Sequence, residues 1–244
     1  MKKIFVYVGS RKGEFSNTVI YIGKILSKIK KTSNSKVSIR FFHPQNTKIE
    51  NCMGCSNCFF YGKCNLDEID DMALIKEEML SSDIIIFGSP IYGANVSGDM
   101  KTFFDRISYW YHLFALRGKF ALFVFTSCGN GVHFALNFSN SVMHFLGLNI
   151  IDLYNVIIFS PKQIDKDRDI IDKIIKTSNL LLEYLNDTKH PESNESFEMI
   201  FSAEKKYIET LENLKTSEYI YWRENKLLKC QTFSEVLNLE NVYK

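Results

Sequence analysis

No apolar run in this sequence approaches the roughly 20 residues needed to cross a bilayer, so the chain reads as soluble. A concentrated basic stretch is also missing. With a formal net charge of +2, nothing argues for nucleic acid or a membrane surface as partner. Met1-Lys2-Lys3 followed by Ile4 to Val8 superficially resembles an export signal, but the apolar run is too short and Ser10-Arg11-Lys12 interrupts it. We read that run as a first strand and expect a cytoplasmic protein. Internal repeats and low-complexity tracts are absent. So are the Gly-Lys-Ser/Thr triplet of Walker loops and the Gly-x-Gly-x-x-Gly of dinucleotide sites. His112, His133 and His144 have neither metal spacing nor a partnered nucleophile, and read as helix-surface or core residues.

A hydrophobic fraction of 45% over 244 residues is enough for a full core, and one domain with an appendage is the natural expectation. Lys3 to Val8, Lys36 to Phe42, Asp83 to Phe87, Lys119 to Phe125 and a stretch within Asn149 to Phe159 read as strands. Helical patterns run from Ser16 to about Lys30, Asp70 to Leu80, Asp99 to Tyr111, Val132 to Gly147 and Asp165 to Asn186. Strand and helix alternate throughout, and right-handed crossovers between parallel strands then require a three-layer doubly wound α/β fold with a five-stranded parallel sheet. This unit spans 1–189. The polar, Pro-containing stretch after it opens a helical extension, 190–244, with helices over Phe201 to Leu214 and Glu218 to Leu228. Tyr219, Tyr221 and Trp222 there read as packing or dimer-contact residues.

Three loops follow strand ends, and in an open parallel sheet such loops bind ligands. Gly9 to Thr18 opens a helix with Ser10, Ser16, Asn17 and Thr18 as donors and Arg11 or Lys12 as charge, the parts of a phosphate site or of a plain capped helix. Gly88-Ser-Pro-Ile-Tyr-Gly93 combines small residues with a planar ring. Thr126-Ser-Cys-Gly-Asn-Gly131 is the third.

Of six cysteines, Cys52, Cys55, Cys58 and Cys64 lie on one loop with two, two and five residues between them. In a chain without an export signal that points to metal or redox use rather than a disulfide scaffold. The spacing suits a 4Fe-4S cluster. Free or packed thiols with no metal are the competing reading, and zinc a weaker one, because its knuckles usually stand apart. Cys128 reads as a small loop thiol, and Cys230 has no cysteine near it in sequence.

Taken together, Gly9-Ser10 with Ser16-Asn17-Thr18, the cysteine loop followed by Asp70-Asp71-Met72, and Gly88 to Gly93 with Val96-Ser97-Gly98, Lys101 and Phe104-Asp105-Arg106 resemble the NADPH-dependent FMN reductase family, most closely its iron-sulfur flavoprotein branch. The likeness covers roughly residues 1–186 and implies a flavodoxin-like fold. It implies that Ser10, Arg11, Ser16, Asn17 and Thr18 hold the FMN phosphate, that Pro90, Ile91, Tyr92, Gly93 and Asn95 lie along the isoalloxazine ring, and that Thr126, Ser127, Gly129 and Gly131 close its other side. It further implies electron transfer from NAD(P)H to a small acceptor such as a quinone, nitro compound, flavin or metal ion, in a homodimer or dimer of dimers. An FMN electron carrier between protein partners is the alternative, and a cofactor-free binding module a third reading.

Overall fold

A computed structural model describes residues 1–33, 36–129, 131–186 and 189–241. Five parallel strands form the sheet in the order β2-β1-β3-β5-β6, namely β1 Lys2–Val8, β2 Val37–Phe42, β3 Ile84–Tyr92, β5 Phe120–Ser127 and β6 Asn149–Ile157. The two-residue β4, Asn95–Val96, folds back antiparallel on the end of β3. Alternate residues face opposite sides, which is why the strands are apolar almost throughout. Ile4, Val6, Ile84, Ile86, Leu122 and Val124 pack under α1 (Asn17–Thr32) and α6 (Arg168–Leu185). Phe5, Tyr7, Ile85, Phe87, Phe123 and Phe125 face α3 (Met72–Leu80), α4 (Gly98–Arg106) and α5 (Val132–Phe145). This is the expected doubly wound sandwich. Because β1 leads to β2 on one side and β3 pairs it on the other, the chain reverses direction across the sheet there, and a crevice opens at the carboxyl ends of β1 and β3. Among the described residues no helix is long and apolar enough to cross a membrane.

Several boundaries differ from the sequence reading. β3 runs on to Tyr92, because Gly88, Ser89 and Pro90 stay in register with Val124, Phe125 and Thr126 of β5. α4 stops at Arg106 and a 3-10 turn, Ser108–Tyr111, follows instead of continuous helix. The cysteine loop contains a short helix, α2 (Asn57–Tyr61).

In the extension, α7 begins at Glu195 under the cap of Asn194, which accepts from the Phe197 N–H at 3.0 Å, and ends at Thr210. α8 covers Ser217–Glu224 and α9 covers Phe233–Asn241. All three share the core of the α3–α4–α5 side. Phe201 stacks on Trp222 at 5.4 Å and Phe197 on Phe233 at 4.7 Å, with Phe114 among them. Each such side chain buried from water contributes about 1.5–3 kcal/mol. The Trp222 Nε1 also donates to the His112 carbonyl at 2.7 Å, so packing is the observed role of this aromatic cluster.

Glu218, 2% exposed, carries a carboxylate into that seam 2.8 Å from His112 Nδ1. Burial alone pushes the imidazole down, but the carboxylates of Glu218 and Glu204 outweigh it and its pKa rises above the ordinary 6.5. The Glu204 carboxyl is raised too, by burial first, against the pull of His112 and with a push from Glu218. A raised folded-state pKa contributes stability that is complete below the unfolded value and lost as pH rises through the folded one. Both groups act in the same direction. Amide exchange in α8, corrected for intrinsic rate, is therefore expected to show more protection at about pH 6 than at about pH 8. His112→Gln should flatten the difference, and an equal slope in the variant would refute the assignment.

Candidate functional site

The crevice at the carboxyl edge is a cleft of about 660 Å³. One end is polar. Ser10, Ser16, Asn17 and Thr18 line it together with Lys12, and Ser10, Ser16 and Thr18 are buried. Ser16 caps α1, accepting from the Val19 N–H at 3.5 Å. The first helical carbonyl bond goes to Ile20, which leaves the N–H groups of Asn17 and Thr18 without an intrahelical acceptor, at the positive end of the helix. Asn17 also donates its Nδ2 to the Ile158 carbonyl at 3.1 Å, and the Thr18 and Thr126 hydroxyls meet at 2.6 Å. Arg11 is not among these residues. Its guanidinium turns away and grips the Asp99 carboxylate at 3.0 and 3.2 Å, with the side chain 82% exposed.

The rest of the lining is more apolar. Pro90, Ile91 and Tyr92 form one wall, Thr126, Ser127 and Cys128 the second, and Ile158, Phe159 and Pro161 a third. Tyr92, Phe159 and Phe15 stand exposed at the rim. Gly93, Asn95, Gly129 and Gly131 build the loops behind these walls. Gly93 and Ala94, with φ of +55° and +63°, make the two-residue turn between β3 and β4. Asn95 turns its Oδ1 back onto the Val96 N–H at 2.8 Å. Gly129 donates its N–H to Ser127 Oγ at 3.2 Å. Gly131 permits a close approach of backbone to backbone: a Cβ on it would lie 2.3 Å from the Ala94 Cα, so any other residue would push the hairpin off the third loop. The hairpin base is pinned by Ser89, whose hydroxyl accepts from the Ser97 N–H at 2.9 Å and donates to the Pro90 carbonyl at 2.7 Å.

Sequence reasoning missed the wall from Ile158 to Pro161, along with Gln45 and Phe15. A signal existed, because β6 is a further strand whose end reaches the same edge.

A separate hollow of about 160 Å³ is lined by all four clustered cysteines with Met53, Phe59, Leu66 and Ser108. Cys52 and Cys55 are exposed, Cys58 and Cys64 half-buried. Left-handed backbone at Gly54, Ser56 and Gly62 lets so short a loop fold over itself. Burial pushes the Cys58 thiol up to about 11, with Cys64 and Cys52 adding to the shift against nearby backbone N–H groups. Among the described residues no three His, Cys, Asp or Glu side chains converge as they would on a single metal ion. A cluster sets its thiolates farther apart than one ion does, because several irons lie between them.

Arg106 locks this loop at both ends. Fully buried on α4, it donates to the Glu50 carbonyl at 2.9 Å ahead of the cysteines, and to Asp67 at 2.7 Å and Asp70 behind them. Lys76 joins Asp67 at 2.5 Å. Burial would raise the Asp70 carboxyl, but the Arg106 hydrogen bond and the N–H groups of Glu50 and Met72 hold it below the usual carboxylate range. His133 bonds Asn137 and His144 bonds the Asn140 carbonyl within α5, so neither meets a nucleophile.

The chain matches the family described as NADPH-dependent FMN reductase over residues 2–160. An iron-sulfur flavoprotein of Archaeoglobus fulgidus is 35% identical over 104 residues, 42% of this chain and 46% of that protein. One from Clostridioides difficile is 33% identical over 96 residues, 39% of this chain and 40% of that protein. The matched stretch thus spans less than half the length of these relatives. Among solved structures, RosB with bound 8-demethyl-8-formylriboflavin-5'-phosphate superposes with a TM-score of 0.59 at 16% identity, covering 80% of this chain and 83% of that one, a likeness of fold. With well over half of its length under one family description, and with the sheet order and carboxyl-edge crevice that the fold requires, the chain belongs to the NADPH-dependent FMN reductase family.

Proposed function

We propose that this protein is an FMN-dependent oxidoreductase that draws electrons from NADPH or NADH and passes them to a small acceptor such as a quinone, nitro compound, flavin or metal ion. One observation carries the reading: a single cleft combines the donors Ser10, Ser16, Asn17 and Thr18 with an apolar lining of Pro90, Ile91, Tyr92, Ile158 and Phe159, the mixed polarity that a mononucleotide with a planar ring calls for. The residues present fit FMN. Ser10, Ser16, Asn17, Thr18 and the free N–H groups of the first turn of α1 would hold the phosphate, with Lys12 adding charge. Pro90, Ile91 and Tyr92 would flank the ring, and Ser127 and the Gly93–Asn95 hairpin would meet its polar edge. When bound, the flavin supplies the redox chemistry, accepting a hydride and releasing electrons. The protein would hold and orient it, and hydride transfer from a nicotinamide to a flavin needs no acid–base pair at the site. Phe15, Tyr92 and Phe159, exposed at the rim, support a homodimer that closes the cleft.

The four thiols around one hollow support a 4Fe-4S cluster, as the names of the relatives suggest. Exposure of Cys52 and Cys55 favours a second reading, an electron carrier whose cluster is reached by a protein partner. Anaerobic purification tests both. A brown preparation whose flavin bands are bleached within seconds by NADPH or NADH, containing about four irons per chain, is expected. Bleaching by a reduced ferredoxin but by neither nicotinamide would select the carrier, and a colourless chain that ignores micromolar FMN would end both readings.

A further inference from the structure

The family match ends at residue 160, yet the C-terminal extension reaches the wall of the cysteine hollow. α2, which carries Cys58, has only five residues, too few to persist as a helix without tertiary support. Its support comes from α8. Ser217, the first residue of α8, donates its hydroxyl toward the carbonyls of Phe59 and Cys58 at 3.1 and 3.4 Å. The Cys58 carbonyl also receives the Gly62 N–H at 3.1 Å, closing the end of α2. Gly62 leaves room for this contact, since a Cβ there would stand 3.3 Å from the Ser217 side chain.

Ser217 is itself held in place. Thr216 caps α8, accepting from the Tyr219 N–H at 3.4 Å, and Trp222 on the same helix is buried and bonded to the His112 carbonyl. The Phe59 ring completes the joint, meeting the His112 ring edge-on at 5.3 Å. The path from the extension to Cys58 is therefore a run of direct contacts.

We propose that Ser217 is a positioning residue for the cysteine centre, and that the extension holds α2 so that Cys58 faces the hollow beside Cys64. The consequence for a bound cluster rests on the reading that the four thiols hold iron, but the positioning itself is testable without metal. In metal-free protein, iodoacetamide labelling followed by mass spectrometry of each cysteine is expected to show Cys58 reacting about fivefold faster in Ser217→Ala, the size of one lost hydrogen bond. Cys52 and Cys55, already exposed, should label at unchanged rates. Ser217→Thr keeps the donor and should restore the Cys58 rate. FMN retention serves as a control and should stay as in the wild type, while the unfolding midpoint should fall by no more than about 2–4 °C, which leaves the variant fully folded where labelling is done. In iron-loaded protein, Ser217→Ala should lose iron to a chelator about fivefold faster for the same reason. Faster Cys58 labelling in a chain that never takes up iron would keep the positioning role and sink the cluster reading. Unchanged Cys58 labelling in Ser217→Ala would overturn the positioning role whatever the iron content.

Discussion

Replacing Arg106 with Met is expected to destabilise the fold by about 3–5 kcal/mol, the range for breaking one partner out of a buried ion pair. The Arg106 and Asp70 side chains are both 0% exposed, so the substitution leaves a carboxylate with no water and no counter-charge. Met fills much of the volume, which isolates the electrostatic loss from a packing loss. The damage should centre on the cysteine loop, because the guanidinium is what joins Glu50 on one side of it to Asp67 and Asp70 on the other. Denaturant melts measure the total, and cysteine labelling below the melt locates it. Adding Asp70→Asn should recover a large part, since most of the cost is an unpaired charge rather than a lost attraction. The pH dependence has a definite sign. Asp70 has a depressed carboxyl, so its contribution is present above the unfolded value of 3.8 and is lost as pH falls below it. Arg106→Met should lose that acid-side slope. A variant within about 1 kcal/mol of wild type would mean that the clamp is ornamental to stability.

The parts of this structure that the sequence disclosed are those governed by local rules. Ile84 to Phe87 is apolar without interruption because both faces of β3 are covered, and the period of each flanking helix is visible for the same reason. What stayed hidden depends on distant partners. Arg11 sits in a loop of phosphate-binding character, but Asp99, 88 positions away, takes its guanidinium, and no local pattern announces that. Pro90 reads as loop beyond a strand that ends at Phe87, yet it lies within β3 at the last pair with β5, opposite Thr126, where a missing N–H costs little. The start of α7 was hidden because its first turn, Glu195-Ser196-Phe197-Glu198, is mostly polar and the residue that fixes it is the cap Asn194. α2 is shorter than any window over which periodicity is measured, and its Cys58 and Phe59 carbonyls are met by Ser217 of α8, 159 and 158 positions away. The cysteine spacing was plain from the start, but the joint that holds it belongs to an extension that carries no motif.

The double substitution Ser16→Ala with Asn17→Ala is expected to raise the dissociation constant for FMN by about a hundredfold, from two lost hydrogen bonds to a phosphate at the low end of the charge-assisted range. The two residues act differently. Ser16 is the cap of α1, so its loss also costs about 1 kcal/mol of helix stability, and affinity has to be compared where both proteins remain fully folded. Asn17 spends its Nδ2 on the Ile158 carbonyl, so its loss also frees the segment that carries Phe159 and Pro161, the third wall of the cleft. Titration by quenching of flavin fluorescence reads the combined effect. Arg11→Ala provides the contrast: with its guanidinium committed to Asp99 outside the cleft, it should change the constant by no more than about twofold, as for a screened surface pair. Lys12→Met, which removes a lysine from the cleft lining, should weaken binding more at low salt than at high, because an exposed charge acts through a screened field. A double variant that holds FMN as tightly as the wild type would mean that the first turn of α1 is not where the phosphate sits, and the orientation of the ring inferred from it would have to be reversed or abandoned.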